Sequence, residues 1–431
     1  MAKIFIYDEF TPQDAAMLQA LYSRSPLSVV EHVKKVKESG SGKFMEKFYV
    51  GYGHASIADC GSTTIFIEEL SILADKAIQD WPLYSGQETS TRYIDMSKQK
   101  IIDPLGTVGS KNILDGWMDF YINSQPELEK FLMDKYPLKK GENELVYLKA
   151  IKARAFDILR GFLPAGITTQ LSWHTNLRQA ADKLFILKHN PLKEIRSIAE
   201  KILAGLKEKY PQSFSHLIDE KQEIYRQKVS AKYNFFNPKK SEKVFSFSTN
   251  IKPADLRVYR DILKNRPPKT GLPHFLTELG NIIFDLILDY GSFRDLQRHR
   301  NGVCRMPLLT TKLGFNQWYL NQLPKESKIK AEKLIKEQKI KINVLKTVAE
   351  IKQYYIALGF NASCRVSYGL PAAIYVIELR SGKMVHPTLR DIAFKMRHSL
   401  LKKFPDLQLN CDLEPSDWDI SRGLQDISEK K

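Results

Sequence analysis

The chain has 431 residues, 43% of them hydrophobic, which is enough for two ordinary domains or one large one. Its 66 Lys and Arg against 49 Asp and Glu give a formal charge of +17, which favours anionic partners: nucleic acid, nucleotides or a membrane surface. A lysine-rich proteome accounts for the same excess, given runs such as KESKIKAEKLIKEQKIKIN. Four scattered cysteines, Cys60, Cys304, Cys364 and Cys411, form no CxxC pair, which argues against a disulfide framework or a zinc site and fits a reducing cytoplasm. In chain order, MAKIFIYDEF reads as a short strand rather than a signal peptide, and no apolar run approaches a bilayer span. The expectation is a soluble, cytoplasmic protein.

Apolar positions three and four apart predict helices across 11–50. GYGHAS breaks that pattern, and TTIFIEEL (63–70) alternates as a strand does. Helical spacing resumes over 71–81, with Ser71 as N-cap and Pro82 as stop. Further helices are expected at about 144–163, 174–189 and 192–209. Residues 210–250 lack a period and read as a connection between domains. Residues 272–300 offer an apolar strand, a break at Gly291-Ser292 and a short helix. Long helices are expected over 324–358 and 387–403.

The two halves follow one order of elements. Residues 54–92 run from a histidine through strand, turn and short helix to YSGQETSTRYID. Residues 274–310 repeat that order and reach DLQRHRNGVCRMPLL. Each half then continues into a paired-helix segment.

Those two quoted stretches carry the chemistry. Arginine forks bind phosphate bidentately. A Ser90-Thr91-Arg92 turn can offer backbone N–H groups and a hydroxyl to the same phosphate. Adjacent Arg298 and Arg300 repel unless an anion lies between them, and His299 can donate to a phosphate or a polar ring edge. Glu88 can orient Arg92 by an ion pair, or form a surface salt bridge worth under about 1 kcal/mol. Trp81 and Tyr84 sit where a planar ring could stack. His174 reads as packed or half-exposed and His386 as a helix-entry residue. Cys304 has no identifiable partner base for a nucleophile.

The sequence resembles the flavin-dependent thymidylate synthase (ThyX) family, whose signature is RHRxxSxNExSxR. In the first half, Ser85, Gln87, Glu88, Ser90 and Arg92 match its second part, with Gln87 in place of Asn, while Asp80, Trp81 and Pro82 replace RHR. In the second half, Arg298, His299 and Arg300 keep RHR and the remainder is lost. GHASIAD, ALYSRS and LRGFLPAGITTQLSWHTNLR also resemble family segments.

The resemblance implies an α+β fold of two diverged tandem ThyX-like domains, 1–225 and 226–431, each a small antiparallel sheet with long helices. It implies Gln87, Glu88, Ser90, Arg92, Arg160 and Arg380 on the substrate nucleotide, with Arg160 and Arg380 as the catalytic pair. It implies Ser25, His54, Asn176, Arg178, Arg298, His299 and Arg300 on FAD, and no metal. The implied reaction is reductive methylation of dUMP to dTMP with methylenetetrahydrofolate and NADPH as co-substrates. The implied assembly is a homodimer of pseudo-tetrameric shape. A related hydroxymethyl transfer to a uracil nucleotide, a flavin-free descendant binding nucleic acid, and a scaffold for a separate synthase remain open.

Overall fold

The computed structural model describes residues 9–23, 25, 27–92, 94–216, 218–235, 244–415 and 420–425. Its strands form two sheets. In one, β1 (Ser62–Ser71), β2 (Ser85–Glu88) and β3 (Thr168–Asn176) lie in the order β1-β3-β2. In the other, β4 (Phe245–Thr249), β5 (Asn281–Asp289), β6 (Gly302–Cys304) and β7 (Asn361–Gly369) lie in the order β4-β5-β7-β6.

Period-two patterning sets the register of the second sheet. Antiparallel β5 and β7 pair Ile282 with Tyr368, Phe284 with Val366, Leu286 with Cys364 and Leu288 with Ala362. All eight of these side chains are buried on one face. On the other face Asp285 opposes Arg365 and the two form an ion pair at 2.7 Å. A slip of one residue would turn the apolar set outward and bury that pair, so the register is strongly specified.

The chain divides into two compact units. Unit 1 is drawn from Met1–Glu68, Ala77–Glu88 and Gln170–Asn234, and unit 2 from Glu69–Lys76, Thr89–Thr169 and Phe235–Lys431. These units do not follow the expected division at residue 225, because residues 89–169 of the first half pack in unit 2.

Most expected elements are present. Helices Pro12–Tyr22 and Val29–Ser39 cover the first helical stretch, and helix Ile72–Gln79 begins after Ser71, whose Oγ accepts from Ala74 N at 3.1 Å. Helix Pro387–Lys403 matches its expected span. The expected N-terminal strand lies largely outside the described residues.

Four readings are corrected. The helix expected from 174 begins at Leu177, because residues 168–176 are β3. Both presumed helix pairs are instead a 3-10 turn, a strand and a helix: Arg160–Phe162, β3 and Leu177–Leu187, then Gln353–Tyr355, β7 and Leu370–Ser381. The connection at 210–250 contains helix Glu220–Tyr233 and β4. That helix rests on the Asp219 cap and on Gln222 and Glu223 pairing with Arg226, not on an apolar stripe. The long helix from 324 ends at Val344, where Leu345 turns extended.

Recurrence is visible in the hydrogen bonds of unit 2. Ile72 N donates to Ile167 O at 3.1 Å, and Tyr290 N donates to Phe360 O at 3.0 Å. In each case a helix N-terminus meets the residue just before a following strand. The segments 161–166 and 354–359 also pair with each other. Ala165 N donates to Ile356 O and Leu358 N to Leu163 O, both at 2.9 Å, and Gly359 N to Gly161 O at 2.7 Å. Glycine is needed at this crossing: a Cβ on Gly161 would lie 2.7 Å from the Tyr319 ring, and one on Gly359 would lie 2.4 Å from Phe315. Among the described residues no helix is long and apolar enough to cross a membrane.

Candidate functional site

Four pieces of backbone in unit 2 bring arginines together. The 3-10 turn after helix Glu144–Leu159 buries Arg160, and the turn after β2 presents Ser90, Thr91 and Arg92. Helix Tyr290–Gln297, capped by Asp289 accepting from Ser292 N, leads into Arg298, His299 and Arg300. Helix Leu370–Ser381 carries Arg380 in its last turn. There the basic side chain complements the carboxyl end of the helix dipole.

Asp295 lies among these cations. Arg160 Nη1 stands 3.6 Å from its Oδ2 and Arg298 Nε 3.8 Å from its Oδ1. Arg380 Nη2 donates to its backbone oxygen at 2.7 Å. Burial opposes the Asp295 carboxylate, but the charges of Arg298, Arg160, Arg380 and Arg92 outweigh burial and hold its pKa far below the usual range. Arg92 is gripped by Asp157, with Nε to Oδ1 at 2.6 Å and Nη2 to Oδ2 at 3.1 Å, and Nη2 also donates to Met384 O. Burial, then Arg298 and Arg92, lower the Arg380 pKa against the pull of Asp295.

Two histidines are hydrogen-bonded into the cluster, half-buried His299 and buried His386. Arg380 Nε donates to His299 Nε2 at 2.7 Å, which makes Nε2 the acceptor and leaves the proton on Nδ1. Burial and the neighbouring arginines bring the His299 pKa down to about 3. His386, fully buried, has Nε2 3.3 Å from Asp157 O and must donate there, so its Nδ1 accepts from Thr388 Oγ1 at 2.9 Å. Thr388 in turn accepts from Ser292 Oγ at 2.6 Å, and Ser292 accepts from Arg160 Nη2 at 3.3 Å. The acceptor-only carbonyl at one end and the donor-only guanidinium at the other fix the direction of the whole chain. It holds Arg160 in place. Burial disfavours the Arg160 cation, yet Tyr319, Asp295, Asp289 and Asp157 raise its pKa overall.

Several buried polar atoms here have no hydrogen-bond partner: Arg160 Nε, Asp289 Oδ1, both amide atoms of Gln297, and the Tyr368 hydroxyl. Unmet buried donors and acceptors beside a cationic cluster fit a polar anionic ligand such as a nucleotide or a flavin.

The structure thus gathers Ser90, Arg92, Arg160, Arg298, His299, Arg300 and Arg380 in unit 2. Two details differ from expectation. The orienting role assigned to Glu88 is filled by Asp157, and Glu88 hydrogen-bonds Gln79. The anion expected between Arg298 and Arg300 has a counterpart in Asp295, which faces Arg298, while Arg300 Nη1 donates to Arg298 O at 3.2 Å. Ser90 Oγ accepts from Arg92 N at 3.2 Å.

The other expected residues lie in unit 1. Ser25 Oγ accepts from Leu27 N, and exposed His54 precedes helix Ala55–Ala58. Gln87 is an exposed β2 residue whose N–H donates to Ser172 Oγ. Asn176 caps helix Leu177–Leu187 through Gln179 N at 2.8 Å, and Arg178 pairs with Asp59 at 2.8 Å. Trp81 lines an open cavity of about 600 Å³ together with Asp182, Ile186, Lys221, Tyr225 and Arg226. The Tyr84 hydroxyl donates to Ser172 O. Sequence reasoning missed Asp157, Asp289, Ser292, Tyr319 and Thr388. Asp295 carried a signal, since it lies one helical turn before Arg298.

The chain is thus mixed α+β, with Arg92, buried Arg160, Arg298 and Arg380 converging on acidic side chains in unit 2. Residues 8–212 match the family described as thymidylate synthase complementing protein, Thy1, in agreement with the resemblance to the ThyX family read from the sequence. The matched span contains Arg92 and Arg160 but not Arg298–Arg300. Over the longer chain, a UPF0159 protein of Thermoplasma acidophilum is 25% identical, with 91% of this chain and 94% of that protein covered. A UPF0159 protein of Chlamydia muridarum is 26% identical, covering 90% and 84%, and one of Chlamydia pneumoniae is 24% identical, covering 90% and 83%. Among solved structures, a flavin-dependent thymidylate synthase ThyX from Helicobacter pylori, complexed with FAD and dUMP, is 17% identical with a TM-score of 0.30, covering 47% of this chain and 94% of that one.

Proposed function

We propose that this chain is a flavin-dependent thymidylate synthase-like enzyme that methylates dUMP reductively, with FAD as cofactor and methylenetetrahydrofolate and NADPH as co-substrates. The observation that carries the reading is the convergence of Arg92 and Arg160, from the first half, with Arg298, His299 and Arg380, from the second, around Asp295. Ser90, Arg92 and Arg380 would bind the nucleotide, with Gln87 and Glu88 of the same motif beside them, and Arg160 would polarise the uracil carbonyl. Arg298, His299 and Arg300, with Ser25, His54, Asn176 and Arg178, would hold FAD. Bound FAD would supply the hydride; the chain's own part is to fix Arg160 through Ser292, Thr388 and His386 and to exclude water around it.

The recurring strand-helix-strand order and the mutual pairing of 161–166 with 354–359 support a tandem duplication with halves 1–225 and 226–431. In that reading a homodimer takes the place of a tetramer of single-copy chains. Release of tritium from 5-tritiated dUMP in the presence of FAD, NADPH and methylenetetrahydrofolate tests the reaction. Purified protein should be yellow and bleached by NADPH, and Arg92→Ala should lose dUMP binding while keeping flavin. A colourless protein with strongly salt-dependent affinity for nucleic acid would overturn the proposal.

A further inference from the structure

We infer that Asp295 is a built-in counter-ion of the arginine cluster, and that it weakens binding of an external phosphate there by occupying the anion position itself. The inference deepens the proposed function and rests on that reading for the identity of the natural ligand. It does not rest on it for the behaviour of the cluster toward phosphate.

Three observations carry it. First, the carboxylate is central but loosely held. Arg160 Nη1 and Arg298 Nε stand 3.6 and 3.8 Å away, both beyond hydrogen-bond length. Second, three of the four arginines are positioned by other acceptors. Arg92 is fixed by Asp157 and Met384 O, Arg160 by Ser292, and Arg380 by His299 and the Asp295 backbone. Removing the Asp295 carboxylate therefore leaves Arg92, Arg160 and Arg380 standing. Third, the Asp295 side chain keeps 16% of its surface exposed, whereas Asp157 keeps none. Asp295 thus sits on the solvent side of the cluster, where an incoming anion would meet it.

A phosphate drawn to the four arginines meets the Asp295 negative charge within a few ångströms. Whether the carboxylate swings aside or stays, its charge opposes the ligand. Neutralising it without changing its shape should therefore strengthen phosphate binding. The opposite expectation belongs to a carboxylate that merely braces the arginines, whose loss would loosen them and weaken binding.

The test compares the full chain with Asp295→Asn and Asp295→Glu by equilibrium dialysis against radiolabelled inorganic phosphate, and separately against dUMP. The inference expects Asp295→Asn to bind phosphate at least about tenfold tighter than the parent, with Asp295→Glu restoring parental affinity, because one unit charge near a dianion is worth more than that even when partly screened. Unchanged or weaker phosphate binding by Asp295→Asn overturns it. If Asp295→Asn is unstable alone, added phosphate should restore its melting temperature to that of the parent; no restoration also overturns the inference. Tighter phosphate binding without any dUMP binding in parent or variants would uphold the counter-ion and sink the uracil-nucleotide reading.

Discussion

Neutralising Asp157 is the sharpest test of how the cluster is held. Its carboxylate is fully buried, and its two oxygens accept from Arg92 at 2.6 and 3.1 Å. Asparagine keeps the shape and removes the charge, leaving the Arg92 cation beside Arg380 with Met384 O as a remaining acceptor. Breaking a buried ion pair from one side costs about 3–5 kcal/mol. Arg92 keeps 16% of its side-chain surface in contact with solvent, which places the cost near the lower end, about 3 kcal/mol. At roughly 2–4 °C per kcal/mol for domains of moderate size, Asp157→Asn should lower the melting temperature by about 6–12 °C. Calorimetric melts of the parent, Asp157→Asn and the double variant Arg92→Met/Asp157→Leu provide the assay. The double variant should recover at least half the loss, because no charge is then left unpaired. A shift of less than about 1 °C for Asp157→Asn, or a double variant worse than the single one, would refute the reasoning.

Acid should destabilise the protein through His299. The folded state keeps it neutral down to about pH 3, whereas the unfolded chain takes up a proton below about 6.5, so stability is complete above that value and falls as pH drops. The loss reaches about 2 kcal/mol at pH 5, and His299→Gln should flatten that part of a stability-pH curve followed by guanidinium titration. Gly161→Ala should cost about 1–3 kcal/mol in the same titration, because its Cβ meets the buried Tyr319 ring. Asn176→Ala should lose about 1 kcal/mol as a helix cap while Asn176→Asp loses almost none; equal losses for the two would show that the cap is not what the side chain supplies.

Local pattern and tertiary contact divide what could be read beforehand. Strand β5 was legible as an apolar run ending before the Gly291-Ser292 break, and Ser71 was legible as a cap because serine at a strand-helix junction has few other uses. The spans Thr168–Asn176 and Asn361–Gly369 were misread as helical although Leu171 and Trp173, and Ala362, Cys364, Val366 and Tyr368, alternate with polar residues; the longer helical stretches on either side masked that period. Helix Glu220–Tyr233 was missed because side-chain pairs, not an apolar face, support it. At the site, the arginines were legible from their motif. The acids and hydroxyls that hold them were not: Asp157, Ser292 and Thr388 are ordinary residues until the chain brings them within 3.5 Å of Arg92, Arg160 and His386.

The crossing of 161–166 with 354–359 bears on how such a gene can change. Each segment completes part of its backbone pairing through the other, so a fragment carrying either alone would leave those amide and carbonyl groups without their partners. Truncation is thereby penalised. The two partners can drift apart side chain by side chain, yet each remains indispensable as the mould for its counterpart, and fragments co-expressed in one cell should reassemble where either alone fails.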